Sequence, residues 1–539
     1  MMKALPLELW FQIADLLHPQ DLYKLIGVNR TFFEMIMNEV YDHLSFITQE
    51  PHMFSEKLKA LQGPSMAERV RVLTLWPSAV RDAIKAIDHE VAKASERASS
   101  PKPMLYLQKV EKLFGHVRPP ERPMTPPRLH DPLPSPQERL EMFTNTLRSL
   151  RNVEELEVNW YLDNGSKTSA WHVPFFPDVW SSTGHKLRKL TLDIQLFKFD
   201  DVVRSCGSMP LVEELYLTLR CDSARGSSGG TAVPYFINKF GSTLRVLSIK
   251  TIGHQELSAM FQLLGTFPLL TNLALVMPLD SYHLEDPSGF SRFLRDHPAL
   301  RVLCLRYARC CKDFTDDGFK THDGQHKLYS GILLPALRCL ELGLRIPIPH
   351  DGKSAMLNSV ARLGKEITSL TLTDRSLTLT EVKSVLRYFP TYRLRKLSLF
   401  AQLLSPQLID VLAKSCPDLN SLSLDVQTVV RTENETVERQ PSDDVPGFTE
   451  ALSRWAVDYE NDWWRYRTWL LADISIMKWE FKVGHTHNHA CMNAVASVVP
   501  SVRSFAGRGH MGPPTDGLPK PTTRRLLTDL DTRTKPLDT

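Results

Sequence analysis

The chain has little of what marks most function classes. Its formal charge is only +4 over 539 residues, so composition gives no electrostatic case for a nucleic acid or a membrane surface as partner. The eight cysteines are scattered. Apart from the neighbours Cys310 and Cys311 they form no CxxC pair and no regular disulfide spacing, which suits a reducing compartment with thiols acting as small buried hydrophobes. No run approaches the roughly 18 apolar residues of a membrane helix, and the start MMKALPLELW lacks the apolar core and small-residue cleavage site of a signal peptide. An intracellular protein, cytoplasmic or nuclear, is expected. Neither a P-loop GxxxxGKS/T nor a zinc-protease HExxH occurs. No cofactor, no metal and no catalytic residue is assigned, and the chain is not expected to be an enzyme.

What is present begins with Leu5 to Phe33, LPLELWFQIADLLHPQDLYKLIGVNRTFF. Pro6 suits a first helical turn, and Leu9, Ile13, Leu16 and Leu17 follow at helical spacing. His18-Pro19 ends that helix. Asp21 is placed as the cap of a second helix carrying Leu22, Leu25, Ile26 and Val28. Asn29-Arg30-Thr31 leads into a third with Phe32, Phe33, Met35, Ile36 and Val40. A segment this small cannot bury all its apolar surface against itself, so a partner surface is expected to complete it.

At these residues the chain resembles the F-box family. The resemblance is carried by Leu5-Pro6, Glu8-Leu9, Ile13, the leucine pair, Pro19, Asp21-Leu22 and Val28-Asn29-Arg30; Tyr41, near where the family commonly has a tryptophan, departs from it. It implies docking on the Skp-type adaptor of cullin-based ubiquitin ligases. Leu5, Pro6, Leu9, Ile13, Leu17, Leu22, Leu25 and Val28 are the residues assigned to adaptor contact or to its local support.

After this motif one hexapeptide recurs: an apolar position, two variable ones, a leucine, one variable, then a leucine or near equivalent. Eleven copies begin at Val70, Val153, Leu187, Val212, Leu244, Leu270, Leu300, Leu337, Ile367, Leu394 and Leu419. From the second copy onward they stand 25 to 37 residues apart, the signature of a repeat architecture. Alternating leucines put one face of a short strand inward, and a helix closes each unit. Glu256 to Leu264, Gly289 to Arg295, Glu381 to Tyr388 and Pro406 to Lys414 have helical spacing. Phe267-Pro268, His297-Pro298, Phe389-Pro390 and Cys416-Pro417 stop the chain before the next strand.

These copies look like the irregular leucine-rich repeats found behind F-boxes. The expected fold is α/β: a three-helix F-box followed by a curved parallel sheet with helices on its convex side. Usual repeats carry Asn or Cys three residues after the last leucine to bond backbone between units. Here those positions hold residues such as Gln195, Ile252, Ala308 and Arg375.

The organisation expected is an F-box over 1–47, a first repeat over 65–97 and a proline-dense disordered insertion over 98–137. The repeat body covers 138–430, a C-terminal aromatic cap 446–505 and a disordered tail 507–539. Ser100-Pro101, Thr125-Pro126 and Ser135-Pro136 are candidate proline-directed phosphorylation sites, and Cys221 to Gly230 reads as a flexible loop.

Three surfaces are candidates for binding or chemistry. Side chains between the inward leucines point to the opposite face of the sheet, in a column that includes Thr191, Tyr216, Ser248, Ala274, Cys304, Glu341, Thr371, Ser398 and Ser423. The next column includes Asp193, Thr218, Lys250, Val276, Arg306, Thr373, Phe400 and Asp425. From Trp455 to Phe481, Trp455, Tyr459, Trp463, Tyr466, Trp469 and Leu470 recur at intervals of three and four, which reads as a helix with an aromatic face, a lid over the last repeat or a target pocket with Arg465 and Arg467. Tyr216, Lys250, Arg306, Glu341, Phe400, Trp463 and Arg465 are the target-binding residues assigned. The third is HTHNHAC, where His485, His487, His489 and Cys491 alternate as along one strand. Side chains two apart on a strand lie some 7 Å from one another, too far for three in a row to share a zinc ion at about 2 Å each.

The function the F-box resemblance implies is substrate recognition for an SCF-type cullin-RING ubiquitin ligase. The adaptor would link the chain to cullin and RING subunits, and the repeats would hold a protein target. The alternatives are an F-box scaffold acting with the adaptor outside a ligase, and a metal protein centred on His485 to Cys491.

Overall fold

A computed structural model describes residues 6–17, 19–48, 50–85, 134–160, 175–221, 231–253, 257–277, 284–306, 329, 331–344, 355–389, 391–433, 443–458, 463–464, 466–480 and 484–507. They fall into two compact units, one within Met1–Arg375 and Ser384–Pro390, the other within Ser376–Lys383 and Thr391–Thr539. The expectations for Leu5, Arg465 and Tyr459 lie outside the described residues. So do those for the insertion up to residue 133, the loop 222–230 and the tail from 508.

The first unit opens with three helices, α1 (Leu7–Asp15), α2 (Pro19–Lys24) and α3 (Arg30–Asp42). Pro6 lies just ahead of α1 in extended conformation, one residue earlier than the sequence places it. Asn29 caps α3, its side-chain oxygen accepting the Phe32 N–H at 2.8 Å. Asp21 is not a cap. The helix starts at Pro19, and the Asp21 carboxylate accepts from Lys24 Nζ at 2.8 Å instead.

α3 runs straight into β1 (His43–Phe46), the first strand of a parallel sheet. β2 (Val72–Leu75), β3 (Glu155–Trp160), β4 (Lys189–Gln195), β5 (Glu214–Arg220) and β6 (Val246–Ile252) follow in spatial order. β7 (Asn272–Val276), β8 (Val302–Arg306), β9 (Cys339–Gly343) and β10 (Ser369–Leu377) continue it. Each pairs in parallel with the one before.

The repeated hexapeptide is what sets the register. Leu73, Leu156, Leu190, Leu215, Leu247, Leu273, Leu303, Leu340 and Leu370 stand opposite one another strand by strand. Two residues on, Leu75, Val158, Leu192, Leu217, Ile249, Leu275, Leu305, Leu342 and Leu372 form a second ladder, and both ladders are buried. A one-residue slip in any strand would turn its leucines to the open face, so burial worth roughly 1.5–3 kcal/mol per side chain fixes the pairing. The alternating burial of β3 to β5 leaves the other face open, unlike a parallel sheet covered on both sides.

Helices connect the strands where spacing and proline place them: Ser258–Leu263, Ser288–Arg295, Leu379–Tyr388 and Pro406–Ser415. Packed rings tie the early units together, Phe46 against Phe54 and Phe143, and Phe143 against Phe175. Bonds between units come from helix ends rather than from an asparagine after the strand. Asn238 donates to Leu263 O at 2.8 Å and accepts from Gly265 N at 2.8 Å. His297 Nε2 accepts from Phe267 N at 2.8 Å.

Three expectations are corrected. The sheet begins at β1, within the segment assigned to the N-terminal motif, so that motif is not separate from the repeat body. The insertion ends before residue 135: Ser135 and Glu138 form a capping box on the helix Pro136–Ser149. From it Arg139, fully buried, donates to the carbonyls of Ala83 and Ile84 at the end of the helix Pro77–Lys85.

The third lies in the second unit, where the aromatic stretch is not one helix. The helix Val445–Ala456 ends after Trp455. β13 (Val457–Asp458) and β14 (Trp463–Trp464) then form an antiparallel pair, because Trp and Val suit strands better than a continued helix. In the same unit β11 (Lys396–Leu404) and β12 (Ser421–Val429) carry the last two hexapeptides in parallel. β15 (Asp473–Glu480) adds to β12, also in parallel, with Ile474 and Ile476 in the leucine positions. β16 (Gly484–His487) runs antiparallel to β15, and β17 (Ser504–Phe505) pairs with it in parallel. Asp473 fastens this edge, accepting from Ser421 Oγ, Ser504 Oγ and Gly507 N.

Candidate interaction surfaces

The N-terminal helices split into a small core and an uncovered apolar face. Ala14, Leu22, Phe32 and Ile36 are buried together, with Trp10, Leu17, Leu25 and Met35 packed partly against them, and the Trp10 ring meets Phe32 edge-on at 5.2 Å. Leu9, Ile13 and Val28 point away, at 41%, 38% and 61% exposure. The assigned residues that are described therefore divide by role: Leu22 belongs to the core, Leu17 and Leu25 support it, and Leu9, Ile13 and Val28 are free to touch another molecule. Pro6 is exposed as well.

Further apolar residues of these helices are uncovered. Phe11, Leu16, Tyr23, Ile26 and Phe33 are exposed, Leu16 at 88%. The sequence hid Phe11 and Tyr23 because neither falls on the apolar spacing of its helix. Exposed apolar side chains gathered on one small helical unit differ from the singly scattered hydrophobics of an ordinary surface.

The helices are also anchored. The Arg69 guanidinium, mostly buried, binds the Glu34 carboxylate and Asn38 Oδ1 and donates to Glu34 O at 3.3 Å. Its hydrogen bond holds the Glu34 carboxyl below the usual carboxylate range. The Arg71 N–H donates to Asp42 O at 2.9 Å, so the end of α3 is stitched to β2.

On the open sheet face the predicted columns stand as the register requires. Thr191, Tyr216, Ser248, Ala274, Cys304, Glu341 and Thr371 oppose one another in turn. Ser248, Ala274 and Cys304 are buried, whereas Tyr216, Glu341, Lys250, Arg306 and Phe400 are half-buried. More charge gathers here than the sequence columns imply. Arg220 pairs with both oxygens of Asp193 at 2.7 and 2.8 Å, and Lys189 pairs with Glu155 at 2.9 Å. The Tyr216 hydroxyl donates to Glu214 at 3.1 Å; burial first, and then the Glu214 charge, push its phenol well above the usual value. Arg306 lies 3.4 Å from both Glu341 and Asp374. Burial, with Glu341 nearby, likewise keeps the Cys304 thiol protonated.

The assigned residues are not brought to one place. Tyr216, Lys250, Arg306 and Glu341 share the open face of the first unit. Phe400, on β11, and Trp463, on β14, belong to the second unit. There Tyr466 and Trp469 are buried, and Trp469 Nε1 donates to Cys416 O at 3.0 Å, so these two rings are core rather than pocket.

The histidine cluster does not alternate along one strand either. β16 ends at His487, and Asn488 caps the helix His489–Val498 by accepting the Cys491 N–H at 3.1 Å. Cys491 is buried on that helix, its thiol pushed up to about 12 by burial. Among the described residues no three His, Cys, Asp or Glu side chains are grouped to hold a metal ion, and no helix is long and apolar enough to cross a membrane.

No known family model and no curated protein matches the chain.

Proposed function

We propose that the chain is the substrate-recognition subunit of an SCF-type cullin-RING ubiquitin ligase. Its first three helices act as an F-box, and the parallel strands behind them act as degenerate leucine-rich repeats. The observation that carries this reading is the exposure of Leu9, Ile13 and Val28 around a core of only four buried side chains. Such a face is completed by another polypeptide, and burying each side chain contributes roughly 1.5–3 kcal/mol. The residues that make it are those of the F-box resemblance.

The mechanism is proximity. α1 and the neighbouring residues hold the Skp-type adaptor, which joins cullin and RING subunits. The open sheet face holds a target protein, and the ubiquitin-charged enzyme is supplied by the complex. Fixing target and enzyme in one assembly raises their effective concentration without a catalytic side chain in this chain. The passage from α3 into β1 and the Arg69 clamp favour this use, since they tie the docking face to the strands that would carry the target.

Co-purification of the full chain with a Skp-type adaptor, a cullin and a RING subunit tests the reading. Recovery of all of them supports the ligase. Recovery of adaptor without cullin supports a scaffold instead, and absence of adaptor ends both.

A further inference from the structure

One edge of the sheet carries a row of arginines that the backbone does not need. The residue just before each strand takes part in a hydrogen-bonded ladder. Arg245 N donates to Glu213 O at 2.8 Å, Thr271 N to Arg245 O at 2.9 Å, Arg301 N to Thr271 O at 2.7 Å, Arg338 N to Arg301 O at 2.9 Å and Thr368 N to Arg338 O at 2.9 Å. Threonine fills two of these rungs and glutamate another, so any residue with an N–H and a carbonyl serves, and the choice of arginine at three of them answers to something else.

The ladder lines these side chains up at the interstrand spacing of about 4.8 Å. Arg245 and Arg338 are 53% and 54% exposed, and Arg301 is exposed too. Arg245 has Glu213 at 3.6 Å and Arg338 has Glu366 at 3.3 Å. Among the described residues Arg301, in the middle, has no carboxylate within ion-pair distance. On the far side of Glu213 the ladder continues with Arg188, 3.8 Å from the same carboxylate, so charge alternates there, and Arg245, Arg301 and Arg338 are the stretch where positive charge is in excess.

We propose that this row docks an acidic segment of a partner protein in extended form, with side-chain carboxylates taken by the guanidiniums. Guanidinium and carboxylate match as planar, two-point partners. The run from Glu213 to Thr368 spans five interstrand steps, about 24 Å, the reach of about seven extended residues. Glu213 and Glu366 interrupt the excess of positive charge on either side of the three arginines, and a net charge of +4 supplies no long-range attraction for a polymer. A short acidic peptide fits these limits, and a nucleic acid does not. The inference goes beyond adaptor docking and does not depend on it, because the row is read in the chain alone.

The test is fluorescence anisotropy of a labelled heptaglutamate peptide with the purified full chain at low ionic strength. The expected result is saturable binding that weakens with salt. It should fall about tenfold or more in Arg245→Glu/Arg301→Glu/Arg338→Glu and about threefold in Arg301→Gln, the milder variant that keeps the test valid should the triple variant unfold. A glutamate peptide of twice the length should gain less than about twofold, and a single-stranded oligonucleotide of equal charge should bind more weakly. Unchanged affinity in a folded variant, or oligonucleotide binding as tight as the peptide's, overturns the proposal. Adaptor co-purification, measured on the same variants, stays intact whichever way the peptide result falls.

Discussion

Arg306 and Asp374 sit on strands separated by β9, and their side chains meet over Gly343, Nη2 to Oδ1 at 3.4 Å. Asp374 takes a left-handed backbone, φ 73°, which breaks the alternation of β10 and turns its carboxylate across the neighbouring strand. A Cβ at position 343 would stand 1.9 Å from Asp374 Oδ2 and 3.1 Å from Arg306 Cα. Glycine is therefore the residue that lets this pair form. Gly343→Ala should destabilise the first unit by about 1–3 kcal/mol. Combining it with Asp374→Gly, which removes the clashing carboxylate and the left-handed strain together, should return at least about 1 kcal/mol. Urea unfolding of the four proteins of that cycle gives the coupling, and strictly additive losses would refute the geometry.

His297 gives the fold a pH dependence of defined sign. Its Nε2 accepts the Phe267 N–H and its Nδ1 faces Phe293 O, so the ring is the neutral Nδ1–H tautomer, and burial lowers its pKa below the ordinary value. The stability tied to this neutral ring is present above the unfolded pKa near 6.5 and is lost as pH falls from there towards the lower folded value. The steepest loss is about 1.4 kcal/mol per pH unit for one proton. Thermal unfolding followed from pH 7.5 down to 5 should show this decline. In His297→Asn the curve should be flatter, because the competing proton site is gone. Equal slopes in both proteins would exclude His297 as the source.

Much of this arrangement is written in the sequence, for a physical reason. The leucine hexapeptide has the strand period of two, and burial of one face leaves each copy a single register. Two strands escaped because the same pattern is spelled with other apolar residues. Tyr41, Leu44 and Phe46 lead into and form β1, and Leu471, Ile474 and Ile476 do so for β15. The aromatic stretch misled because intervals of three and four are also met by a helix end followed by a hairpin. At the N-terminal helices the spacing located the apolar residues but left open which were core. That depends on how three short helices cross, which no periodicity records. The Asp374 turn and the arginine row arise from strands meeting side by side, and neither is visible in any one copy.

The division of roles in α1 and α2 predicts opposite outcomes for like substitutions. Leu9→Asp with Ile13→Asp adds charge to a face already in water. Circular dichroism and Tm should stay near wild type while adaptor co-purification is lost. Leu22→Asp puts an unpaired carboxylate into the core with Phe32 and Ile36, at a cost of several kcal/mol. It should melt the three helices, seen as faster amide exchange from α1 to α3. Retained adaptor binding by the Leu9/Ile13 variant would remove the basis for the proposed docking face.

Arg139 ties the helix Pro136–Ser149 to the helix Pro77–Lys85. It is wholly buried, and its two terminal nitrogens donate to Ala83 O and Ile84 O, carbonyls in the last turn of the helix Pro77–Lys85. A positive group at a helix C-terminus gains from the helix dipole as well as from the hydrogen bonds. Arg139→Met keeps most of the side-chain volume but removes both buried hydrogen bonds to these carbonyls, so it should cost about 2–4 kcal/mol. Arg139→Lys reaches with a single ammonium and should recover only part of that loss. Limited proteolysis reads the same event locally. In the methionine variant the helices Pro77–Lys85 and Pro136–Ser149 should become cleavable before the strands on either side of them, and simultaneous loss of the whole first unit would mean that the clamp supports the entire sheet rather than this junction.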